Sequence, residues 1–418
     1  MRRFGRWDKD RLFQDSFVLF SGALITGAGN FVFQALMGRM LSAAEFGVMW
    51  TMLGSLMILT VPSLAIQNTL AYTIASVGHP EAGTVALFRR SIRKLNRVAL
   101  PLLALGLICS PLIASFFKIP TVWPVVFCAV CLLFNLYYPV LSGIAQGRQH
   151  FVLLTAASVA GVIIRLVSGV GLVAVFHSAS AALAGTALAC GGTALAIVIA
   201  LRRVLFCPPD VSSELNRKKL YEYFWPVFFS VGVLNLAMNA DLLLVKRFFD
   251  ADVAGQYARA GAVARLICYI TGPVLIAIFP KVAAGQCPVA RRRIFFHGFG
   301  LSLLVVGAAV SGCLLLPQFP ALLLFKTREP ELLHLIRLVV LAFGPLPLLM
   351  VVVHYLMARK QFLFLRGCVP VMMIWIATAA LWHPTVTVII AELGCAGILL
   401  LTVSLLAARV DFRAMQKE

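Results

Sequence analysis

Residues 151–176 read FVLLTAASVAGVIIRLVSGVGLVAVF, and Arg165 is the one ionisable side chain in the run. A stretch this long and apolar meets the ~20 residues a helix needs to cross a bilayer, and a helix satisfies its own backbone hydrogen bonds in hydrocarbon. Similar stretches recur along the whole chain. Windows of about 19 residues predict helices over 14–37, 47–75, 97–117, 121–146, 151–176, 180–201, 222–246, 254–279, 295–317, 331–357, 361–382 and 384–408. The reading is an all-α polytopic membrane protein of about 12 transmembrane helices, with little chain left for a soluble domain. Composition agrees: of 418 residues, 61% are hydrophobic and 12% charged, outside the balance of soluble globular domains. The basic start, Met1 to Trp7, precedes an apolar stretch too long for a signal-peptide core, so it is expected to be retained.

The net charge of +20 would suggest nucleic acid in a soluble protein. Here the basic residues fall in the breaks between helices, as topology determinants do, so no nucleic acid partner is expected. An even number of spans puts both termini on one side. The basic breaks are the N-terminus, Arg89 to Lys94, Arg202-Arg203 with Arg217-Lys218-Lys219, Arg291 to Arg293, Arg359-Lys360 and the tail. They are assigned to the cytoplasm, which makes both termini cytoplasmic. The opposite breaks, around Arg39 and Glu45, Lys118, His177, Lys246-Arg247, Lys326 to Glu329 and His383, look too short to house catalytic groups, so no enzyme activity is expected. The ten cysteines sit mostly in apolar stretches. They read as free thiols. Cys128-Ala129-Val130-Cys131 has no second Cys or His pair, and neither metal nor cofactor is expected.

The chain also matches itself. Gly38 to Gly47, GRMLSAAEFG, lines up with Lys246 to Gly255, KRFFDADVAG, at an offset of about 208 residues. Arg148-Gln149-His150-Phe151 with Arg359-Lys360-Gln361-Phe362, and Arg89 to Ile92 with Arg291 to Ile294, follow in the same order. This implies a six-helix lobe over 1–201, a cytoplasmic connector over 202–221 and a second six-helix lobe over 222–418. The lobes would be related by a pseudo-two-fold axis along the membrane normal. Prolines in corresponding spans, Pro62 with Pro273 and Pro139 with Pro345 and Pro347, are candidate helix breaks near a central site, or ordinary membrane-helix prolines.

Three segments resemble the oligosaccharide and polysaccharide flippases of the multidrug/oligosaccharidyl-lipid/polysaccharide exporter superfamily. They are Gly38 to Gly47, Leu141 to Gln149 (LSGIAQGRQ), and Asn239 to Phe249 running on to Gly255-Gln256-Tyr257-Ala258. The last looks like the family's Asn-x-Asp helix end, short loop and Gly-x-Tyr helix start, with Pro280 like the proline that closes the following helix. The resemblance covers essentially the whole chain. It implies two lobes around a central cavity open alternately to each side, with spans 1, 2, 7 and 8 forming much of the wall. The expected substrate is a polyprenyl-(di)phosphate-linked oligosaccharide, moved between leaflets of a bacterial cytoplasmic (inner) membrane. Membrane lipids and a glycan polymerase or glycosyltransferases are the other expected partners. The alternatives are a cation-coupled exporter of drugs or other small molecules, and a non-transporting scaffold for glycan assembly.

Ionisable groups inside the membrane cost about 2.5–3.5 kcal/mol each on insertion scales and so mark wet cavities or partners. Arg165 lies about 21 Å of helix rise from Phe151; it either binds phosphate in the cavity or ties helices together. Arg259 and Arg265 are further phosphate candidates. Asp241 and Arg259 flank a short loop and are expected to form an ion pair or gate. Arg337 and Glu392 form a second possible pair, with Arg337 alternatively reaching the interface. Asn30, Gln34, Gln67 and Asn68 would bind sugar hydroxyls or hydrogen-bond between helices. The excess of arginine over carboxylate favours an anionic ligand, since guanidinium groups bind phosphate through paired hydrogen bonds.

Overall fold

The computed structural model describes residues 9–67, 70, 81–148, 150–205, 217–284 and 288–415. Among these, the chain is helical from end to end. In order the helices are α1 (Lys9–Met40), α2 (Ala43–Leu59), α3 (Val61–Gln67), α4 (Glu81–Ile108), α5 (Ser110–Phe116), α6 (Trp123–Gly147), α7 (Phe151–Phe176) and α8 (Ala179–Leu205). The second half holds α9 (Arg217–Phe248), α10 (Ala251–Ala284), α11 (Pro288–Leu315), α12 (Gln318–Phe325), α13 (Pro330–Phe343), α14 (Pro345–Ala358), α15 (Leu365–Leu381) and α16 (Val386–Met415).

Eight apolar helices are long enough to cross a membrane, one of them the 29-residue run formed by α13 and α14. The bent pairs α2–α3 and α4–α5, the 17-residue α15 and the 34-residue α10 complete twelve crossings. Exposed Leu, Ile, Val and Phe cover the outside, including Ile163, Val167, Leu304 and Leu381. In water such a surface would aggregate; lipid is the solvent it fits.

Two departures from the sequence reading concern helix ends. The basic segments Arg89 to Lys94 and Arg291 to Arg293, expected as breaks, lie inside α4 and α11. Helices longer than the hydrocarbon slab carry their Arg and Lys side chains into the headgroup layer, where they are satisfied without unwinding the chain. The prolines also behave asymmetrically. The chain bends by 46° between Leu59 and Val61, beside Pro62, whereas α10 continues through Pro273 and Pro280 to Ala284. Likewise Pro139 lies inside an unbroken α6, while Gly344 separates α13 from α14 just before Pro345. Matched interruptions are therefore absent: only the bend beside Pro62 interrupts a span, Gly344 keeps helical dihedrals within the 330–358 run, and Pro280 closes no helix. Proline is tolerated within a membrane helix where neighbours re-satisfy the freed carbonyl.

The short α5 and α12 were not anticipated. They are repeat mates: each follows a long span, and each ends on a lysine in the left-handed conformation, Lys118 (φ 52°) and Lys326 (φ 54°). The two lysines keep the offset of about 208 residues seen in the longer repeat.

Packing sorts the helices into two bundles. α4 packs on α5, α6 and α8, and α7 on α1 and α8, within the first half; α11 packs on α10, α13, α14 and α16 within the second. The bundles meet where α2 lies against α9 and α10, and where α1 meets α10 and α12.

Candidate functional site

The boundary between the lobes starts at the N-terminus of α2. Ser42 caps that helix, its hydroxyl accepting from the Glu45 amide at 3.2 Å. In a capping box Glu45 would turn back onto the cap. Instead its carboxylate accepts the Ala179 amide at 2.5 Å and ties α2 to the start of α8. One turn along, Gly47 faces Gly255 of α10. A Cβ on Gly47 would lie 3.0 Å from the Gly255 Cα, and one on Gly255 would lie 2.3 Å from the Ala43 carbonyl oxygen. Backbones approach this closely only where both residues lack side chains. These two glycines are the aligned ends of the internal repeat, so the lobes touch through equivalent points.

The same symmetry organises the contacts around them. Arg39, at the end of α1, donates to the Leu323 carbonyl of α12 at 2.6 Å. Its repeat mate Arg247, at the end of α9, places its guanidinium 4.6 Å from the Phe116 ring of α5. Each lobe thus sends an arginine to the short helix of the other. Phe325 of α12 fills the space above Gly38 and packs edge-on against Phe46, ring centres 5.4 Å apart. Lys246 is buried here, with Glu45 of the opposite lobe acting on its charge. Deeper along the boundary, Gly54 of α2 meets Asn239 and Leu242 of α9.

Asp241 is fully buried, and its partner is Arg265 rather than Arg259. The Arg265 guanidinium donates through Nη2 to both carboxylate oxygens, at 2.8 and 2.9 Å, and through Nε to the Met238 carbonyl at 2.9 Å. Tyr257 donates its hydroxyl to the same carboxylate at 2.7 Å. The physical reason lies in α10. Side chains of a helix lean toward its N-terminus, so Arg265 reaches back over Gly261 to the level of Asp241. A Cβ on Gly261 would fall 2.6 Å from Arg265 Nη1, so glycine leaves that path clear. Tyr257, Gly261 and Arg265 recur every fourth residue and share a face. The guanidinium is roofed by Phe343 at 4.7 Å and by Trp50 of the other lobe at 5.9 Å.

Arg259, leaning the same way from nearer the helix start, passes Asp241 and arrives at the lobe boundary. There it faces the Leu41 carbonyl at 3.5 Å and the Phe325 ring at 5.6 Å, within the field of Glu329. Glu329 itself accepts from Gln256 at 2.5 Å.

The remaining candidates spread over both lobes. Arg165 bridges three helices: Nε donates to the Thr186 hydroxyl of α8 at 3.2 Å and Nη1 to the Asn30 amide oxygen of α1 at 3.1 Å, with the Phe33 ring 4.1 Å away. Gln34 is buried one turn from Asn30. Gln67 faces Gln146 at 3.5 Å, joining α3 to α6. Asn68 lies outside the described residues. Arg337 and Glu392 do not pair; Arg337 donates to the Leu314 carbonyl at 3.2 Å at an exposed position. A second acidic anchor, absent from the sequence reading, is Asp411, held by Arg359 and Tyr355. Cys131 is a buried thiol donating to the Leu183 carbonyl.

Comparison with known proteins adds a family and a fold. A family model described as a polysaccharide biosynthesis protein matches residues 36–298. No curated protein sequence matches the chain. Among solved structures, an inward-facing multidrug resistance MATE family transporter of the MOP superfamily superposes with a TM-score of 0.71 at 13% identity, covering 96% of this chain and 99% of that one. The outward-facing form of such a transporter gives 0.66 at 14% identity, with 96% of each chain covered. The lipid II flippase MurJ, in an inward closed conformation, gives 0.69 at 11% identity, over 96% of this chain and 90% of its own.

Proposed function

The chain belongs to the polysaccharide biosynthesis family that this model describes, and from that premise we propose that it is an alternating-access flippase for a polyprenyl-(di)phosphate-linked oligosaccharide. The observation that carries the reading is the seal between the lobes. It is built from repeat-equivalent elements, Gly47 on Gly255 and the exchanged arginines Arg39 and Arg247. Two related bundles that meet along α2, α9 and α10 through repeat-equivalent points can rock about them, opening a central site first to one side and then to the other. The fold shared with MATE transporters and MurJ supports such motion.

Ligand sign separates this reading from a drug exporter. Arg265 is taken up by Asp241 and drops out of the set of phosphate candidates. Arg259 at the lobe boundary remains, with Arg165 and Asn30 as the polar cluster of the first lobe and Gln34 and Gln67 as hydroxyl partners. In this reading the polyprenyl tail stays in lipid while the headgroup crosses through the wet space between lobes, which avoids burying unsatisfied hydroxyls in hydrocarbon. In this reading the lobe boundary at Gly47 and Gly255 faces the outside, and both termini are cytoplasmic. Cysteines placed at residues 4 and 416 should then be labelled by membrane-impermeant maleimide only after the bacterial inner membrane is opened; labelling of intact spheroplasts at residue 416 overturns this orientation.

The flipping experiment uses proteoliposomes containing a lipid-linked oligosaccharide and an imposed potential, without a proton or sodium gradient. One charge crossing the field is worth about 2.3 kcal/mol per 100 mV, so a doubly charged diphosphate gains roughly 4.6 kcal/mol per 100 mV. An inside-negative potential should accelerate outward flipping and the reverse polarity slow it. Arg165→Gln should lower the rate at unchanged expression. No flipping at either polarity, with uptake of organic cations instead, replaces the flippase by the exporter; neither activity leaves the scaffold.

A further inference from the structure

At the end of the second lobe remote from the seal, α11 and α16 enclose a half-open groove of about 460 Å³, lined by Arg292, Phe295, Phe296, Leu405, Ala408, Arg409 and Phe412. Its floor is aromatic. Phe295 and Phe412 are buried, with ring centres 5.3 Å apart, and both pack on Tyr355, at 4.6 and 5.6 Å. Phe296 forms an exposed wall 5.6 Å from Phe412. Two guanidinium groups stand at the rim, Arg292 also lying 5.6 Å over the Phe296 ring.

The nearby carboxylate is turned away from them. Asp411 is buried beneath the groove, accepting from Tyr355 at 3.1 Å and from Arg359 at 3.3 Å through each of two nitrogens. Its charge is spent inward, and among the described residues no carboxylate pairs with Arg292 or Arg409. The groove therefore joins an apolar, aromatic trough to a doubly cationic rim. The rim sits at the N-terminal end of one membrane-spanning helix and the C-terminal end of another, which is headgroup depth.

We propose that this groove is a binding site for an anionic glycerophospholipid, separate from the path between the lobes, with Arg292 and Arg409 on the phosphate and the first chain segments against Phe295, Phe296 and Phe412. Guanidinium groups match a phosphodiester by charge and by paired hydrogen bonds, and the trough covers methylenes that a free anion does not possess. The proposal stands independently of what the lobes transport.

The test is native mass spectrometry of the full-length protein in detergent, titrated with phosphatidylglycerol or phosphatidylcholine. Retention of phosphatidylglycerol should exceed that of phosphatidylcholine. The double variant R292Q/R409Q should weaken it roughly twenty-five-fold, at about fivefold for each basic residue. Arg202→Gln, which removes a basic residue near the end of α8, should leave it unchanged. Phe296→Ala should weaken both lipids. Equal loss with Arg202→Gln would show general surface charge, and displacement of the lipid by millimolar inorganic phosphate would show a free-anion site. Either result, or undiminished retention in the double variant, overturns the proposal.

Discussion

Replacing Asp241 with Asn is expected to destabilise the protein by about 3–5 kcal/mol, because it leaves the buried Arg265 guanidinium without its counter-charge. The carboxylate is fully buried and accepts three hydrogen bonds, two from Arg265 and one from Tyr257. Arg265→Gln should cost a similar amount by leaving the carboxylate unpaired. The double variant D241N/R265Q should lose far less than the sum, since the second change removes a charge the first had already orphaned. Tyr257→Phe should cost about 1.5–3 kcal/mol, the range for a hydrogen bond to a charged group. Arg259→Gln combined with Asp241→Asn should be additive. Thermal unfolding followed by fluorescence-detected gel filtration reads all of these; D241R/R265D keeps the charges and serves where single variants express poorly. Additivity of the 241 and 265 changes would contradict the pairing.

The pairing shows where sequence reasoning stops. The twelve crossings were legible because a membrane span needs about 20 apolar residues, and that signal survives in any window of the right length. The repeat was legible through Gly47 and Gly255, since a backbone contact restricts both positions to glycine. Partner choice was not. Asp241 and Arg259 stand at similar height beside the turn between α9 and α10, so rise along the helix alone selects Arg259. The lean of the side chains shifts the contact by six residues, about 9 Å at 1.5 Å per residue, to Arg265. The four-residue spacing of Tyr257, Gly261 and Arg265 was available in the sequence and marks one face with a gap in its middle. Read together with Asp241, it would have pointed to the correct arginine. The short helices α5 and α12 were missed for another reason. At seven and eight residues they fall below any membrane window, and only their shared Phe-Lys ending betrays them. Asp411 carries no such signal: it stands in a basic tail segment, and only the fold buries it against Arg359.

The lobe seal makes the last expectation. A side chain at residue 255 has no room while α2 and α10 cross as they do, since even its Cβ would meet the Ala43 carbonyl oxygen at 2.3 Å. Backbone, unlike a flexible side-chain tip, cannot swing aside, so Gly255→Leu must either part the helices or distort them. Overpacking of this kind costs about 1–3 kcal/mol. If the cost falls only on the sealed state, the equilibrium between sealed and open forms at this end shifts about tenfold for each 1.4 kcal/mol, or roughly 5- to 150-fold. Gly47→Ala meets the Gly255 Cα at 3.0 Å, a milder conflict, and should shift it less. On the flippase reading proposed above, the predicted phenotype is a correctly inserted protein, eluting like wild type, that flips at a small fraction of the wild-type rate. A cysteine at Ser55, on the boundary helix, should become more reactive to maleimide applied from the side of Arg39 and Lys246. Because Gly255 belongs to neither ion pair, a pure folding defect predicts lower yield without that gain in labelling. A Gly255→Leu variant that flips normally, or whose Ser55→Cys label is as slow as in the glycine parent, would show that the lobes do not separate at this crossing.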